Sequence, residues 1–367
     1  MRFRYSRNKD GKTEKKAVIY TKDEHNIDAG NVDTDAAYIC SRLRIEGYET
    51  YIVGGAVRDL ILGKKPKDFD IASAANPTQI KKVFRNSRVI GRRFRLVHVF
   101  FGNKIYELAT FRSLKDGATG NTFGTIEEDV LRRDFSLNAL FYDPEQELVI
   151  DYIGGVDHIR KRVIQPVIPL DIIFQDDPVR MIRAVKYAAI TGFDIPPKLQ
   201  NKIKADARLL PAISPSRLTE EIVKIINSPC PASIVKLLEL YGLYRHLQPR
   251  ASIMMEKNEE FKKKYMQSLA ALNNEDGEKS CALRALVEDY IESFTDWDSP
   301  MPELYRKTFI AARKFILPMS PQRLELGKAI RQIFAGHGIT VKKIRSLRTR
   351  GRGNNEPKDT IQIETMF

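Results

Sequence analysis

The 367-residue sequence is short of cysteine, of tryptophan and of long apolar runs. Its three cysteines, Cys40, Cys230 and Cys281, are too far apart for a metal-ligand pattern, and an odd, sparse set predicts reduced thiols in a cytoplasmic protein. No apolar run is long enough to span a bilayer, and the basic start lacks the apolar core of a secretory signal. We therefore expect no transmembrane segment.

Positive charge, by contrast, is plentiful. The formal net charge is +14, and 43% of the residues are hydrophobic. This length and composition allow two or three domains with an ample core. A basic surplus of this size favours a polyanionic partner, because neutralised phosphates supply most non-specific affinity for nucleic acids.

A strand, a pair of glycines and a helix follow one another at the start of YIVGGAVRDLILGKKPKDFDIAS, Tyr51 to Ser73. Gly54 and Gly55 let the backbone approach an anion, and the helix N-terminus favours negative charge there. On the predicted next strand, from residue 68 to 71, Asp68 and Asp70 are two residues apart and point to one face. Paired carboxylates beside a phosphate cradle suit Mg²⁺, which takes carboxylates together with substrate phosphates.

The rest of the first half predicts a small mixed sheet with helices on one side. Strands are expected at 88–90, 96–101 and 104–110, and Gly102-Asn103 predicts an antiparallel hairpin between the last two. Glu107 lies on the last of these strands, and His98 is interpreted as a packed strand histidine. A helical stretch is expected over 126–141, followed by a closing strand at 147–152, and from residue 171 nearly all of the chain is predicted to be helical.

Four motifs in order resemble the polymerase-beta-like nucleotidyltransferases, in the branch that holds bacterial poly(A) polymerases and class II CCA-adding enzymes. They are GGAVRD with DFD, KIYELATFR, RRDFSLNAL and DDPVR, and the resemblance covers about residues 35–250. The segment from Val89 to Gly102 looks like the stretch that marks the poly(A) polymerases of this branch. The resemblance implies an α+β head of this type, followed by an all-α neck and body.

The resemblance also implies roles for single residues. It assigns two Mg²⁺ ions and catalysis to Asp68, Asp70 and Glu107. It assigns nucleotide binding to a second group of residues: Gly54, Gly55, Arg58, Arg133, Asp134, Asn138, Asp177 and Arg180. The acid before Asp177 is Asp176, where the family has Glu. Basic residues in three further segments are predicted to contact RNA: Arg92, Arg93, Arg95, Arg183, Lys342, Lys343, Arg345, Arg348 and Arg350.

The implied activity is the template-independent addition of AMP from ATP to RNA 3′ ends. Two alternatives stay open, a CCA-adding tRNA nucleotidyltransferase and an RNA-binding protein without catalysis. The expected organisation is a basic flexible segment at 1–32, the catalytic head at 33–165, a helical neck at 166–250, a helical body at 251–338 and a basic flexible tail at 339–367.

Overall fold

The computed structural model describes residues 2–7, 13–91, 96–113, 115, 122–272, 279–342 and 362–365. The chain divides into two compact units. The first consists of Met1–Arg180 and Gly192–Lys202, and the second of Met181–Thr191 and Ile203–Phe367. No helix among the described residues is long and apolar enough to cross a membrane.

The first unit is built on a mixed sheet of nine strands. The strands are β1 (Arg2–Arg7), β2 (Thr13–Tyr20), β3 (Thr50–Val53), β4 (Asp70–Ser73), β5 (Ser87–Ile90), β6 (Leu96–Phe101), β7 (Lys104–Thr110), β8 (Leu140–Asp143) and β9 (Leu148–Asp151). Their order is β1-β2-β9-β8-β3-β4-β7-β6-β5, and only β4 and β7 pair in parallel. The predicted mixed sheet and its β6–β7 hairpin are confirmed.

Six helices belong to the sheet-forming part of this unit: α1 (Lys22–His25), α2 (Thr34–Ile45), α3 (Gly55–Ile61), α4 (Pro77–Val83), α5 (Ile126–Arg132) and α6 (Gly155–Arg160). Asp33 caps α2 by accepting hydrogen bonds from two backbone N–H groups, and Asn76 forms a capping box with Gln79 at the start of α4. These caps determine where both helices begin.

The core on one face of the sheet joins β3, β4, β8 and β9 to α5. Tyr51, Val53, Ala72, Phe141 and Ile150 pack there with the α5 residues Ile126 and Val130. Ile52 and Ile71, which alternate with these residues along their strands, are also fully buried. The central strands are therefore covered on both faces, and the prediction of helices on one side only is wrong.

Two other expectations for the first unit are corrected. The predicted loose segment at 1–32 contains β1 and β2, and β2 pairs with β9 because Ala17 and Tyr20 bury their side chains. The helix expected over 126–141 ends at Arg132, since Arg133 has extended dihedrals (φ −69°, ψ 159°). A 3₁₀ turn at Ser136–Asn138 and strand β8 follow instead.

The described remainder of the chain is helical apart from one ribbon. Its helices are α7 (Ile173–Asp176), α8 (Val179–Thr191), α9 (Pro197–Asp206), α10 (Pro215–Ile226), α11 (Pro231–Leu240), α12 (Tyr244–Leu247), α13 (Pro249–Lys257), α14 (Glu259–Ala270), α15 (Lys279–Phe294), α16 (Met301–Phe315) and α17 (Arg323–Gly336). Strands β10 (Ile339–Lys342) and β11 (Gln362–Thr365) pair antiparallel, so the predicted flexible tail has paired ends. The predicted α+β head and all-α region are confirmed.

Candidate active site

The point where β3 passes into α3 brings two predicted site residues to Gly54. Gly54 has φ +73° and ψ −136°, a conformation that glycine adopts without steric cost. A Cβ atom built on Gly54 would lie 3.8 Å from Oδ2 of Asp70 and 4.0 Å from Nη1 of Arg133. A glycine backbone, a carboxylate and a guanidinium therefore share one small region at the end of β3.

Strand register brings Glu107 beside Asp70. Val53 pairs with Asp70, and Ile71 pairs with Leu108 in the parallel ladder. Continued one residue beyond the ladder, this register places Glu107 level with Asp70, and residues level with each other on neighbouring strands point to the same face of a sheet. Both side chains are exposed, as is that of Asp68.

Asp68 lies outside the strand on which the sequence places it. Strand β4 begins at Asp70 because β3 ends at Val53, the partner of Asp70, and the ladder with β7 starts only at Ile71. Residue 68 therefore has no neighbouring strand to pair with. The predicted alignment of the Asp68 side chain with that of Asp70 therefore depends on the local chain conformation and not on strand pairing.

Glu107 contacts a histidine that the sequence analysis treats as a packing residue. Nε2 of His98 lies 3.4 Å from Oε1 of Glu107, and the Glu107 side chain is 54% exposed. His98 is the antiparallel partner of Glu107 in the β6–β7 ladder, a pairing that the hairpin register predicts. Among the residues that the structure describes, no three His, Cys, Asp or Glu side chains are grouped closely enough to hold a metal ion.

Two arginines beside the glycines are joined through Asn138. The side-chain carbonyl of Asn138 accepts a hydrogen bond from Nη1 of Arg58 (2.9 Å), and its backbone carbonyl accepts one from Nη1 of Arg133 (2.9 Å). Arg58 also pairs with Asp59 at 2.8 Å. The predicted proximity of Arg133 and Asn138 is found, although a 3₁₀ turn, and not a continuous helix, produces it.

Asp129 fixes the orientation of Arg133. Its Oδ2 accepts hydrogen bonds from Nη2 (2.9 Å) and Nε (3.2 Å) of Arg133, and its Oδ1 accepts one from the backbone N–H of Arg112 (3.3 Å). Asp129 is 4% exposed. Asp129 is absent from the predicted site, although its position four residues before Arg133 on the predicted helix is a sequence signal for this contact.

Asp134 is buried and accepts hydrogen bonds from backbone N–H groups. Its Oδ1 accepts a hydrogen bond from the N–H of Phe135 (2.8 Å), and its backbone carbonyl accepts one from Val167 (3.1 Å). These bonds shape the chain between Arg133 and Asn138. The predicted sugar contact of Asp134 is not tested by them.

Arg180 is held by a different acid from the one that the sequence suggests. Its Nη1 lies 2.8 Å from Oδ2 of Asp176, and its Nη2 donates to the backbone carbonyl of Arg132 (3.1 Å). Oδ1 of Asp177 accepts a hydrogen bond from the N–H of Val179 (3.2 Å) at the start of α8. Asp176 is thus an ion-pair partner of Arg180, a role that the analysis of the motif did not foresee.

Comparison with known proteins agrees with this arrangement. Residues 50–165 match the family described as the Poly A polymerase head domain. Poly(A) polymerase I of Escherichia coli O157:H7 is 40% identical over 257 residues, which is 66% of this chain and 55% of the relative. The CCA-adding enzyme of Geobacillus stearothermophilus is 37% identical over 219 residues, 58% of this chain and 54% of the relative.

The head of the chain is therefore similar to the polymerase-beta-like nucleotidyltransferases that the motifs resemble. The chain spans about half the length of the curated relatives that it matches. Among solved structures it is similar to the Bacillus stearothermophilus CCA-adding enzyme in complex with CTP, with a TM-score of 0.56, 27% identity and 82% of each chain covered.

Residues 192–254, most of which belong to the second unit, match a further family described as the probable RNA and SrmB-binding site of polymerase A. Just before the matched segment, the predicted RNA contact Arg183 donates to the buried Oε1 of Glu221 at 2.9 Å. Lys186 and Lys224 also lie within 3.7 Å of this carboxylate. Their charges hold the pKa of Glu221 below its ordinary value although burial raises it.

The other predicted RNA contacts fall where no side chain is described. Seven of these residues lie outside the described residues: Arg92, Arg93, Arg95, Lys343, Arg345, Arg348 and Arg350. Only the backbone of Lys342 is described.

Of the cysteines, Cys40 and Cys230 are free thiols, and burial raises the pKa of Cys40 to about 12. Cys40 is therefore a protonated, unreactive core residue.

Proposed function

We propose that the chain adds AMP from ATP to the 3′ end of RNA without a template. The observation that carries this proposal is the meeting of Asp70 and Arg133 at Gly54, within a head that matches poly(A) polymerases. A carboxylate for a metal ion, a guanidinium for phosphate and a glycine backbone that admits both are the parts that nucleotidyl transfer requires.

The donor set fits Mg²⁺. Oxygen ligands suit this ion, which usually takes one or two carboxylates and completes its shell with water and substrate phosphates. The β4–β7 register, continued one residue before Ile71, places Asp70 level with Glu107, and Asp68 is two residues away along the chain. We propose that these three residues hold two Mg²⁺ ions, which when bound lower the pKa of the attacking hydroxyl and stabilise charge at the α-phosphate.

The protein's own part is to hold the nucleotide. Gly54, Gly55 and Arg58 are proposed to bind the triphosphate, with Arg58 oriented by Asn138 and Asp59. Arg133 is pre-oriented by Asp129, so little side-chain entropy is lost when it binds an anion. Arg133, Asp134 and Asn138 are proposed to contact the sugar, and Asp177 with Arg180 to select the base.

RNA is proposed to bind mainly through its phosphates. The net charge of +14 and the match of residues 192–254 support this, and such binding weakens with salt. The cytoplasmic location expected from the sequence remains a prediction.

Nucleotide addition to two labelled RNAs tests the proposal. A generic oligomer and a tRNA lacking its 3′ end each receive Mg²⁺ with ATP alone, CTP alone or both. Long ladders on both RNAs with ATP, and little product with CTP, are expected. Absence of any product with any nucleotide would refute it and favour the RNA-binding protein without catalysis.

The CCA-adding activity is the second candidate. It is favoured by the similarity to the solved CCA-adding enzyme, in which 82% of each chain is covered. In the same assay this activity would add two C's and one A to the tRNA, then stop.

A further inference from the structure

One face of the nine-stranded sheet is covered over its central strands and open over β5, β6 and β7. Val53 and Ala72 lie on this face and pack with helix α5 in the core. Asp70 shares the face, because it pairs with Val53. On β5, β6 and β7 the side chains that share the face are exposed or half-buried. This area, the side of the three strands that carries His98 and Glu107, is called the open face below.

A row of polar side chains crosses the open face. Glu107, which is level with Asp70, is opposite His98 in the β6–β7 ladder, and Nε2 of His98 lies 3.4 Å from Oε1 of Glu107. His98 is in turn opposite Arg88 on β5, the last strand of the sheet. Arg88 is exposed and makes no ion pair in the described part of the chain. The row therefore runs from two carboxylates to an unpaired guanidinium.

Apolar side chains lie next to this row. Phe100 and Ile105 are opposite each other in the β6–β7 ladder, and each is two residues from a member of the row. Ile105 is 55% exposed, and Phe100 is half-buried. Exposed apolar surface beside a guanidinium suits a single-stranded nucleic acid, whose bases stack on apolar side chains while its phosphates pair with basic ones.

The direction of nucleotidyl transfer leads the RNA end to the open face. The residues proposed to bind the triphosphate follow β3, on one side of β4, whereas Glu107 lies on β7, on the other side. In an in-line displacement the attacking oxygen approaches the phosphorus from the side opposite the leaving group. Pyrophosphate leaves on the side of Gly54, so the 3′-hydroxyl of the RNA arrives on the side of Glu107.

We infer that Arg88 binds the phosphate that joins the last two nucleotides of the RNA, and that Phe100 and Ile105 contact the base of the last nucleotide. This step rests on the proposed function, which places the 3′-hydroxyl beside Glu107. Neighbouring strands are about 4.8 Å apart, so the backbones of Glu107 and Arg88 are about 10 Å apart. One nucleotide and an arginine side chain together span this distance. The acids of the row are the proposed Mg²⁺ ligands, and bound metal offsets their charge.

The test removes one phosphate charge from the RNA and one guanidinium from the protein. An adenosine hexamer is compared with the same hexamer carrying a neutral methylphosphonate at its last linkage, by equilibrium binding to the full chain with Mg²⁺ but without ATP. The wild type should bind the modified hexamer about ten-fold more weakly, as expected for loss of a hydrogen bond between charged groups. Arg88→Ala should bind the two hexamers within two-fold of each other, and Arg88→Lys should keep part of the preference.

Two controls separate this contact from a general loss of charge. Lys82→Ala removes an exposed cation from α4, which lies on the other side of the sheet, where Phe84 contacts Phe101. It should keep the ten-fold preference. A hexamer with the methylphosphonate at its first linkage should bind the wild type and Arg88→Ala with the same ratio as the unmodified hexamer.

The apolar contact is tested with a hexamer whose last nucleotide lacks its base. The wild type should bind this RNA about five-fold more weakly than the intact hexamer, since stacking of one base contributes about 1 kcal/mol or more. Ile105→Ser should reduce the difference to two-fold or less. An unchanged five-fold difference in Ile105→Ser would remove the base contact from the inference.

An equal effect of the last methylphosphonate in the wild type and in Arg88→Ala, or no effect in the wild type, would overturn the inference. An Arg88-dependent effect at the first linkage instead of the last would also overturn it. AMP addition by the wild type is measured in parallel. Intact addition without an Arg88-dependent preference removes the Arg88 contact alone, and an Arg88-dependent preference without any addition removes the proposed catalysis alone.

Discussion

At the scale of single residues, the candidate site is an arrangement of paired charges. Asp129 holds Arg133, Asn138 joins Arg133 to Arg58, and Asp176 holds Arg180. Each guanidinium is thereby fixed before any nucleotide binds. Fixed donors stabilise developing charge better than mobile ones, because they need no reorganisation during the reaction.

Asp129→Asn tests the orientation of Arg133. The amide has a single acceptor oxygen and no charge, so it cannot accept from the Arg133 guanidinium and from the Arg112 N–H as the two carboxylate oxygens do, and Arg133 is held less firmly. We expect the KM for ATP to rise about ten-fold, with a smaller change in kcat. Glu127→Gln, in the first turn of the same helix, is the control and should leave the KM within two-fold. An unchanged KM in Asp129→Asn would show that Arg133 does not depend on Asp129.

At the scale of secondary-structure elements, the turn from β3 into α3 determines the geometry of the site. Gly54 has a positive φ, whereas Gly55 does not. A side chain at position 54 would meet its nearest neighbours only at ordinary contact distances. The loss of stability expected on substitution therefore comes from the strained backbone conformation and not from crowding.

Gly54→Ala should therefore lower the free energy of unfolding of the first unit by about 1–3 kcal/mol. Gly55→Ala should change it by less than about 0.5 kcal/mol, since its Cβ would stand 3.5 Å from Arg58 Nη2 without backbone strain. Denaturant unfolding of both variants provides the measurement. Equal losses in the two variants would contradict the role given to the Gly54 backbone.

Helices α8 and α10 are joined by the charges around Glu221. Because the pKa of Glu221 in the folded protein lies below its ordinary value of 4.5, its stabilising effect is present above that pH. The effect is lost as the pH falls through the lower, folded-state pKa.

Glu221→Gln should cost about 3 kcal/mol at neutral pH, because it leaves Arg183 and Lys186 without their shared anion. Unfolding followed between pH 7 and pH 2 should show that the variant loses less stability on acidification than the wild type. Glu220→Gln, which neutralises an exposed acid on the same helix, should reproduce the wild-type curve. Parallel pH curves for Glu221→Gln and the wild type would refute this assignment.

Prediction from sequence succeeded where neighbouring residues determine the structure, and it failed where pairing between distant strands determines it. Helix α4 and the β6–β7 hairpin follow from Asn76, Pro77 and Gly102-Asn103, which act locally. The 126–141 segment has helical residues throughout, but pairing of β8 with β3 and β9 overrides their propensity after Arg132. The Asp176–Arg180 ion pair could not be predicted, because Asp176 and Asp177 both have the spacing that brings a side chain beside Arg180 on a helix.

At the scale of the whole molecule, we expect the proposed RNA binding to depend on net charge. A surplus of +14 predicts that several RNA phosphates are neutralised in the complex. For single strands the logarithm of the binding constant changes by about −0.7 per phosphate for each decade of salt.

We therefore expect a slope of about −3 or steeper when binding of a single-stranded RNA is measured between 50 and 200 mM salt, corresponding to roughly four or more phosphates. A chemically matched DNA strand should give a similar slope, because the phosphates are shared. A slope near zero would mean that base contacts, and not the basic surface, supply the affinity.

The central claim is that AMP transfer takes place where Asp70 meets Gly54 and Arg133. Its most direct test is the release of pyrophosphate from ATP, in the presence of RNA and Mg²⁺, by the wild type, by Asp70→Asn and by Glu46→Gln, an exposed acid on the chain after α2. We predict that Asp70→Asn lowers the rate about thousand-fold, because it removes a ligand of the Mg²⁺ ions that are proposed to stabilise transition-state charge, while Glu46→Gln stays within two-fold. Pyrophosphate release by Asp70→Asn at the wild-type rate would contradict the account.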